Sequence, residues 1–216
     1  MRIYTKQGDN GTTALLAGGR VRKDSPAMQA IGAVDEAQSA LGLARAECER
    51  GDELDELLIG VERDLWILMA ELATAPVERH RLEPGVTAAT AEMVAALEAG
   101  IDEMTGRLDV DRAFAVPGAN RLSAALDVAR TVVRRAERLV VGLGLEGSQA
   151  VAYLNRLSDL CWALARCAED EHRVNRRPPG ARRSAAGAGA GSEAGARRAT
   201  PKAEKAPGGA EREVRQ

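Results

Sequence analysis

Aromatic side chains are scarce in this chain, with two Trp, two Tyr and one Phe among 216 residues. With Ala, Leu and Arg abundant, that scarcity favours helices. Cysteine is equally thin: Cys48, Cys161 and Cys167 are odd in number and lack metal-type spacing, which argues against a disulfide framework or a zinc site and reads as small buried apolar residues. The two histidines, His80 and His172, lie far apart with no Glu-x-x-His or His-x-x-x-His partner, so histidine-based metal or triad chemistry has little to work with. No apolar run approaches the length of a membrane span, and Met1-Arg2-Ile3-Tyr4 leads straight into a polar loop rather than a signal peptide. The expectation is a cytoplasmic protein. A Walker P-loop is missing too, because that pattern needs four residues between its glycines followed by Lys-Ser/Thr, whereas here Gly8 and Gly11 are separated by two with the lysine upstream.

What stands at that position is Tyr4-Thr5-Lys6-Gln7-Gly8-Asp9-Asn10-Gly11-Thr12-Thr13. Glycines expose backbone N–H groups, two neighbouring hydroxyls add donors, and a lysine supplies charge, which together make a cradle for a polyphosphate. An ordinary tight turn reads the same way, since Gly-Asp-Asn-Gly is turn chemistry as well.

At this length the chain has room for one domain with a proper core. Charge is uneven. From Arg176 to Gln216 ten Lys/Arg face four Asp/Glu, a net of +6, so the remainder carries about −8 of the overall −2. That stretch holds Pro178-Pro179, Ala/Gly repeats and no large apolar residue except Val214, and nothing there offsets chain entropy. The folded unit is therefore placed at residues 1–175, with 176–216 a disordered, solvated basic tail. Within the folded unit, Leu15 to Asp24 reads as irregular structure with a basic cluster. Ser25-Pro26 predicts a helix start and a first helix to about Arg50. A second helix follows Gly51-Asp52 and is ended by Pro76, and Glu78 to Val86 reads as a polar loop. A third, capped by Thr87 or the residues just after it, runs to about Met104. The fourth, about Asn120 to Val141, sets Leu122, Leu126, Ala129, Val133, Ala136 and Val140 at 4-3-4-3-4 spacing, a bundle seam. The fifth, about Ser148 to His172, buries Leu154, Leu157, Cys161, Leu164 and Ala168.

Three features stand out from this bundle pattern. Phe114-Ala115-Val116-Pro117-Gly118 is an apolar stretch inside a loop; Phe114 either plugs a gap in the bundle or stands over a ligand. Beside the fourth helix's seam lies a stripe of Arg130, Arg134 and Glu137 with Asp127 at its edge, and on the fifth lies Asn155, Asp159, Trp162 and Arg166. The first can be a surface lattice of charges and the second a satisfied polar edge of the bundle, or either can be a pocket wall or subunit contact, and guanidinium forks suit phosphate oxygens.

In order along the chain, Tyr4-Thr5-Lys6-x-Gly8-Asp9-x-Gly11-Thr12-Thr13, Lys23-Asp24, Gly32-Ala33-Val34-Asp35-Glu36, Phe114-x-Val116-Pro117-Gly118, Ala129-Arg130-x-x-x-Arg134-Arg135-Ala136-Glu137-Arg138 and Tyr153-Leu154-Asn155-Arg156-Leu157-Ser158-Asp159 resemble the ATP:cob(I)alamin adenosyltransferases of the trimeric, propanediol-utilisation type. The resemblance covers nearly all of the folded part, omitting the tail and the stretch from Arg50 to Arg112. Val116 stands where many members have leucine or isoleucine, and Ala119 where many have another glycine. The resemblance implies an all-α, five-helix bundle of the ferritin-like up-and-down type, assembled as a homotrimer with ATP held between subunits and cobalamin in a cavity nearby. Thr5, Lys6, Gly8, Asp9, Gly11, Thr12 and Thr13 would wrap the triphosphate, aided by Lys23 and by Arg130 and Arg134 of an adjacent subunit. Asp35 would pair with Arg130 across the interface, Glu137 and Asn155 would seat nucleotide and Mg2+, and Phe114 would lie under the corrin ring.

The resemblance further implies that the reduced cobalt of cob(I)alamin attacks C5′ of ATP and expels triphosphate, with Arg130, Arg134, Phe114 and Asp35 serving the reaction. A flavin-dependent reductase and an adenosylcobalamin-dependent mutase would be its partners, with no nucleic acid and no membrane. Two other classes compete: a non-catalytic corrinoid or nucleotide sensor, which would show a damaged phosphate set, and a bundle adaptor acting through its basic tail. Here Lys6, Lys23, Arg130, Arg134 and Asn155 are all present.

Overall fold

Alanine dictates how closely the first helix can be approached. In the computed structural model, which describes residues 4–108 and 115–169, α1 (Pro26–Arg45) buries Ala30, Ala33, Ala37, Ala40 and Ala44 along with Val34 and Leu41. α4 (Arg121–Val141) answers with Ala129 and Ala136 between Leu126, Val133 and Val140, so two small-residue faces interdigitate. α2 (Glu53–Leu72) supplies the larger side chains of the core, Leu58, Leu65, Leu68 and Leu72. α3 (Ala91–Gly106) and α5 (Ala150–Cys167) complete the bundle, and a 3-10 helix (Pro76–Arg81) links α2 to α3. α1 packs on α2 and α4, α4 on α5, and α5 on α3.

Paired residues give the directions. Gln38 of α1 reaches Glu62 of α2, while Arg45, two turns on, reaches both Glu62 and, further back, Asp55 near the start of α2. Glu36 of α1 meets Arg135 of α4, while Glu47, just beyond α1, meets Arg121 at the start of α4. α1 is thus antiparallel to both. Asn155 bonds Glu137 and Arg166 bonds Asp127, making α5 antiparallel to α4. Arg156 bonds Glu98, and the Cys167 thiol lies 3.4 Å from the Met104 carbonyl oxygen, so α3 and α5 run parallel. Asp52, Thr90 and Asn120 each accept a backbone N–H at a helix start, Asn120 within a capping box with Ser123.

Several boundaries differ from the sequence expectation. α1 ends at Arg45 because Ala46 to Gly51 turn back, with Gly51 at φ 81°, toward the Asp52 cap. Ser25 starts α1 without a side-chain cap, its hydroxyl buried and unpartnered among the described residues; Pro26 at the first turn sets the entry instead. Of Thr87 and the residues just after it, Thr90 is the one that caps α3, since Thr87 is spent accepting from the Glu83 amide. Part of the expected loop after Pro76 is the 3-10 helix, and Glu71, 1% exposed, ties it down by bonding Arg79 and the Ala89 amide. Cys161 is buried, but Cys48 is half-buried and Cys167 exposed.

The segment expected to be irregular is a hairpin. β1 (Thr12–Ala14) pairs antiparallel with β2 (Arg20–Arg22), Thr13 opposite Val21. Its tip is stitched to the end of α2 by Leu16 N–H to Ala73 O (2.9 Å) and Ala75 N–H to Ala17 O (2.9 Å). Gly18 makes this possible: its φ is 105°, and a Cβ there would sit 2.2 Å from that of Ala75. The chain divides between Arg176 and Arg177 into two units, the second wholly outside the described residues. No helix among the described residues is long and apolar enough to cross a membrane.

Candidate functional site

The hairpin anchors the Thr5–Thr13 loop at one end and Lys23 at the other. Lys6 has φ 60°, a left-handed conformation that a side chain enters at a cost of about 1 kcal/mol or more. Gly8 lies where Lys23 crosses the loop: a Cβ on Gly8 would sit 2.8 Å from Lys23 Nζ, so glycine leaves the room that the ammonium occupies. The Lys23 amide bonds the Gly11 carbonyl (2.9 Å), and Asn10 Oδ1 accepts from both the amide and hydroxyl of Thr12 (3.1 and 2.7 Å). Two lysines and the glycine backbone thereby border an open cleft of about 410 Å³ with Thr5, Thr12 and Thr13 in its wall. Apart from the Asp9 carboxylate, which also lines the cleft, this wall of donors suits an anion.

Arg20 is the residue that sequence reading missed. Its guanidinium donates to the Gln7 carbonyl at 2.7 Å, to the Thr12 carbonyl at 3.1 Å and to the Thr12 hydroxyl at 2.9 Å, fastening the loop to β2. The signal was present: Arg20 and Arg22 flank Val21 in an alternating triplet, so both arginines share the face opposite Val21.

A second group lies on α4 and α5. Arg130 is partly buried and gives its Nε to Asp127 at 3.4 Å; Arg134 is exposed and its guanidinium bonds no side chain among the described residues. Glu137 Oε1 accepts from Asn155 Nδ2 at 3.0 Å, and Asn155 Oδ1 accepts from Arg156 at 2.7 Å. The two carboxamide ends of Asn155 are therefore fixed. Asp159 is exposed, whereas Arg166, expected in the same flanking stripe, is 2% exposed and bonded to Asp127 and Glu169. Removing one partner from so buried a cluster costs about 3–5 kcal/mol, because the remaining charge is stranded.

Asp35 on α1 is exposed and has no partner among the described residues, while its neighbour Glu36 pairs with Arg135. Within one chain, no hydrogen bond or ion pair among the described residues joins Asp35 to Arg130, or the loop to Arg130, Arg134, Glu137 or Asn155. Phe114 lies outside the described residues. On either side of its segment, Arg107 and Leu122 border an apolar cavity of about 450 Å³ that Leu54, Leu57, Met104 and Leu164 also line.

Neither the cysteine thiols nor the Tyr153 phenol is poised as a nucleophile. Burial pushes the Cys161 thiol up to about 12, and burial likewise raises Cys48 and Cys167. The Tyr153 phenol is driven far above its usual range by burial and by Asp64, to which it donates at 2.9 Å. Among the described residues no three His, Cys, Asp or Glu side chains gather as a metal site. A divalent ion that arrives on a polyphosphate needs only one or two protein carboxylates, and Glu137, with one oxygen turned to Asn155, meets that requirement.

The family model for cobalamin adenosyltransferase matches residues 3–168. A corrinoid adenosyltransferase of Citrobacter freundii is 40% identical over 171 residues, covering 78% of this chain and 95% of the relative. One from Mycobacterium tuberculosis is 39% identical over 186 residues, covering 84% and 95%. The chain spans about half, 52%, of the longer corrinoid adenosyltransferase PduO of Citrobacter freundii, at 40% identity over 81% of its own length. Among solved structures, a phenylalanine-to-histidine variant of a PduO-type ATP:corrinoid adenosyltransferase from Lactobacillus reuteri, complexed with cobalamin and ATP, superposes with a TM-score of 0.72 at 32% identity, covering 81% of this chain and 97% of that one.

Proposed function

The chain belongs to the cobalamin adenosyltransferase family, and from that premise we propose that it transfers the 5′-deoxyadenosyl group of ATP to the cobalt of cob(I)alamin, releasing triphosphate. The observation that carries the reading is the loop itself: Lys6 in a left-handed turn and Lys23 laid across Gly8, in a chain that the family model matches from residue 3 to 168.

The nucleophile is the substrate's reduced cobalt, which explains why no thiolate, serine triad or histidine cluster is needed. The protein's part is to position and to stabilise charge. As the bond from C5′ to the triphosphate breaks, negative charge grows on the leaving oxygens. Lys6, Lys23 and the loop amides respond to it from one side, Arg130 and Arg134 from the other. No hydrogen bond or ion pair among the described residues joins these two groups within one chain, which supports a site completed between subunits of a homotrimer. The loop of one subunit then faces α4 of the next, and the exposed Asp35 meets Arg130 across the contact. Mg2+ neutralises phosphate charge when bound, with Glu137 as its carboxylate. The apolar cavity bordered by Arg107 and Leu122 receives part of the corrinoid, and Phe114 packs on the lower corrin face, keeping water and the cofactor's own base off the cobalt so that it can be reduced. The setting proposed is cytoplasmic, with a flavin-dependent reductase supplying electrons and an adenosylcobalamin-dependent mutase receiving the product.

Mixing the protein with ATP, Mg2+ and chemically reduced cob(I)alamin tests the reaction. The visible spectrum is expected to convert to that of adenosylcobalamin with one intact triphosphate per turnover; an unalkylated corrinoid, or release of phosphate and diphosphate in place of triphosphate, would overturn it.

A further inference from the structure

A buried carboxylate stands behind Arg130. Asp127, 4% exposed, turns its two oxygens in different directions: Oδ2 accepts from Arg166 Nη2 at 2.6 Å, and Oδ1 faces Arg130 Nε at 3.4 Å. Arg166 is itself held, its Nη2 also donating to Glu169 at 2.8 Å and its guanidinium carbon lying 6.0 Å from the centre of the Trp162 ring. Fastening α5 to α4 requires only the Asp127–Arg166 pair. The second oxygen goes to an arginine whose two terminal nitrogens bond nothing among the described residues and whose side chain keeps 29% of its exposure.

We propose that Asp127, fixed by Arg166, is a positioning residue that holds Arg130 by its Nε edge and so presents the two terminal nitrogens end-on to the triphosphate. This inference rests on the reaction proposed above. A guanidinium has five N–H donors in a planar fork, and engaging one edge fixes the plane while leaving the other edge for a bidentate phosphate contact. A free arginine on a helix surface would have to give up rotamer freedom on binding; one already restrained has less to lose. Arg166 is needed to hold the carboxylate still: with Oδ2 fixed by Arg166 Nη2 at 2.6 Å, Oδ1 stays turned toward Arg130 Nε. Asp127 and Arg130 are one turn apart on α4, and Arg134 follows a turn later, so the same face continues outward to the second arginine.

A double-mutant cycle between Asp127→Asn and Arg130→Lys tests the idea, since Lys keeps the charge but has no Nε edge to be held. Turnover is read at saturating reduced cob(I)alamin with ATP varied, and ATP affinity by equilibrium dialysis. Asp127→Asn is expected to lower kcat/KM for ATP about tenfold, and the double variant to lie within about twofold of Arg130→Lys alone, because both changes break one device. Losses that multiply, or an Asp127→Asn enzyme at the wild-type rate, would overturn the proposal, since a merely structural bolt would act independently of Arg130. If Asp127→Asn fails to fold by stranding Arg166, the pair Asp127→Asn with Arg166→Gln removes both members of the Asp127–Arg166 ion pair, leaving the introduced carboxamide to donate to Glu169, and is expected to show the same non-additivity with Arg130→Lys. A wild-type protein that alkylates no corrinoid would defeat the reaction itself and the positioning role with it, a result distinct from an active enzyme with multiplying losses.

Discussion

Lys6 combines two demands that pull apart. Its left-handed backbone costs free energy that glycine would not pay, while its amine borders the anion cleft. Lys6→Gly is therefore expected to leave the melting temperature unchanged or raised, yet to lower kcat/KM for ATP at least about tenfold, a stability–function conflict that calorimetry and kinetics on one sample would show. Asp35 makes the opposite case: exposed and unpartnered among the described residues, it contributes nothing visible within its own chain. If it meets Arg130 of a neighbour, Asp35→Asn will weaken ATP binding about tenfold by equilibrium titration while the melting temperature of the separated chain is unmoved. Unaltered affinity would remove it from the interface. At this scale Lys6, Gly8, Lys23 and the arginines were legible in the sequence as candidates, because charge and glycine are legible one letter at a time. The contacts of Arg20 and of the Asp127–Arg166 pair were not legible, because they depend on which carbonyl or carboxylate the fold brings to them.

The seam of α4 followed from spacing alone, and Leu126, Ala129, Val133, Ala136 and Val140 are all buried. The hairpin did not, since a three-residue strand is too short for alternation to register and is held by its stitching to α2 rather than by its own pattern. Between elements, the pair Tyr153–Asp64 joins α5 to α2. Burial raises the Asp64 carboxyl above its usual value, outweighing the opposing effect of the Tyr153 hydrogen bond. The folded chain thus holds that proton more tightly than the unfolded chain does, and stability falls as pH rises from the ordinary carboxylate range through the raised value. Asp64→Asn keeps an acceptor for the Tyr153 hydroxyl and removes the ionisation. Its melting temperature should exceed the wild type's at neutral pH, with the gap closing toward about pH 4. A variant that melts lower at neutral pH would mean the hydrogen bond to the ionised carboxylate outweighs burial.

For the whole molecule, the proposed boundary near Arg176 assigns the basic tail no part in the chemistry. Truncation after Arg176 is expected to leave turnover and the trimer, measured by light scattering, within about twofold of the full chain, since surface charge remote from a site acts weakly through salt. The central claim is that each site draws its loop from one subunit and its arginines from the next. Co-expressing a Lys6→Ala chain with an Arg134→Ala chain tests it, because random trimers would pair an intact loop with intact arginines in about one quarter of their sites, as a head-to-tail ring requires. Activity near one quarter of wild type from two variants that are each inactive alone is the predicted result. Mixed trimers no more active than either variant by itself would contradict a site shared between chains.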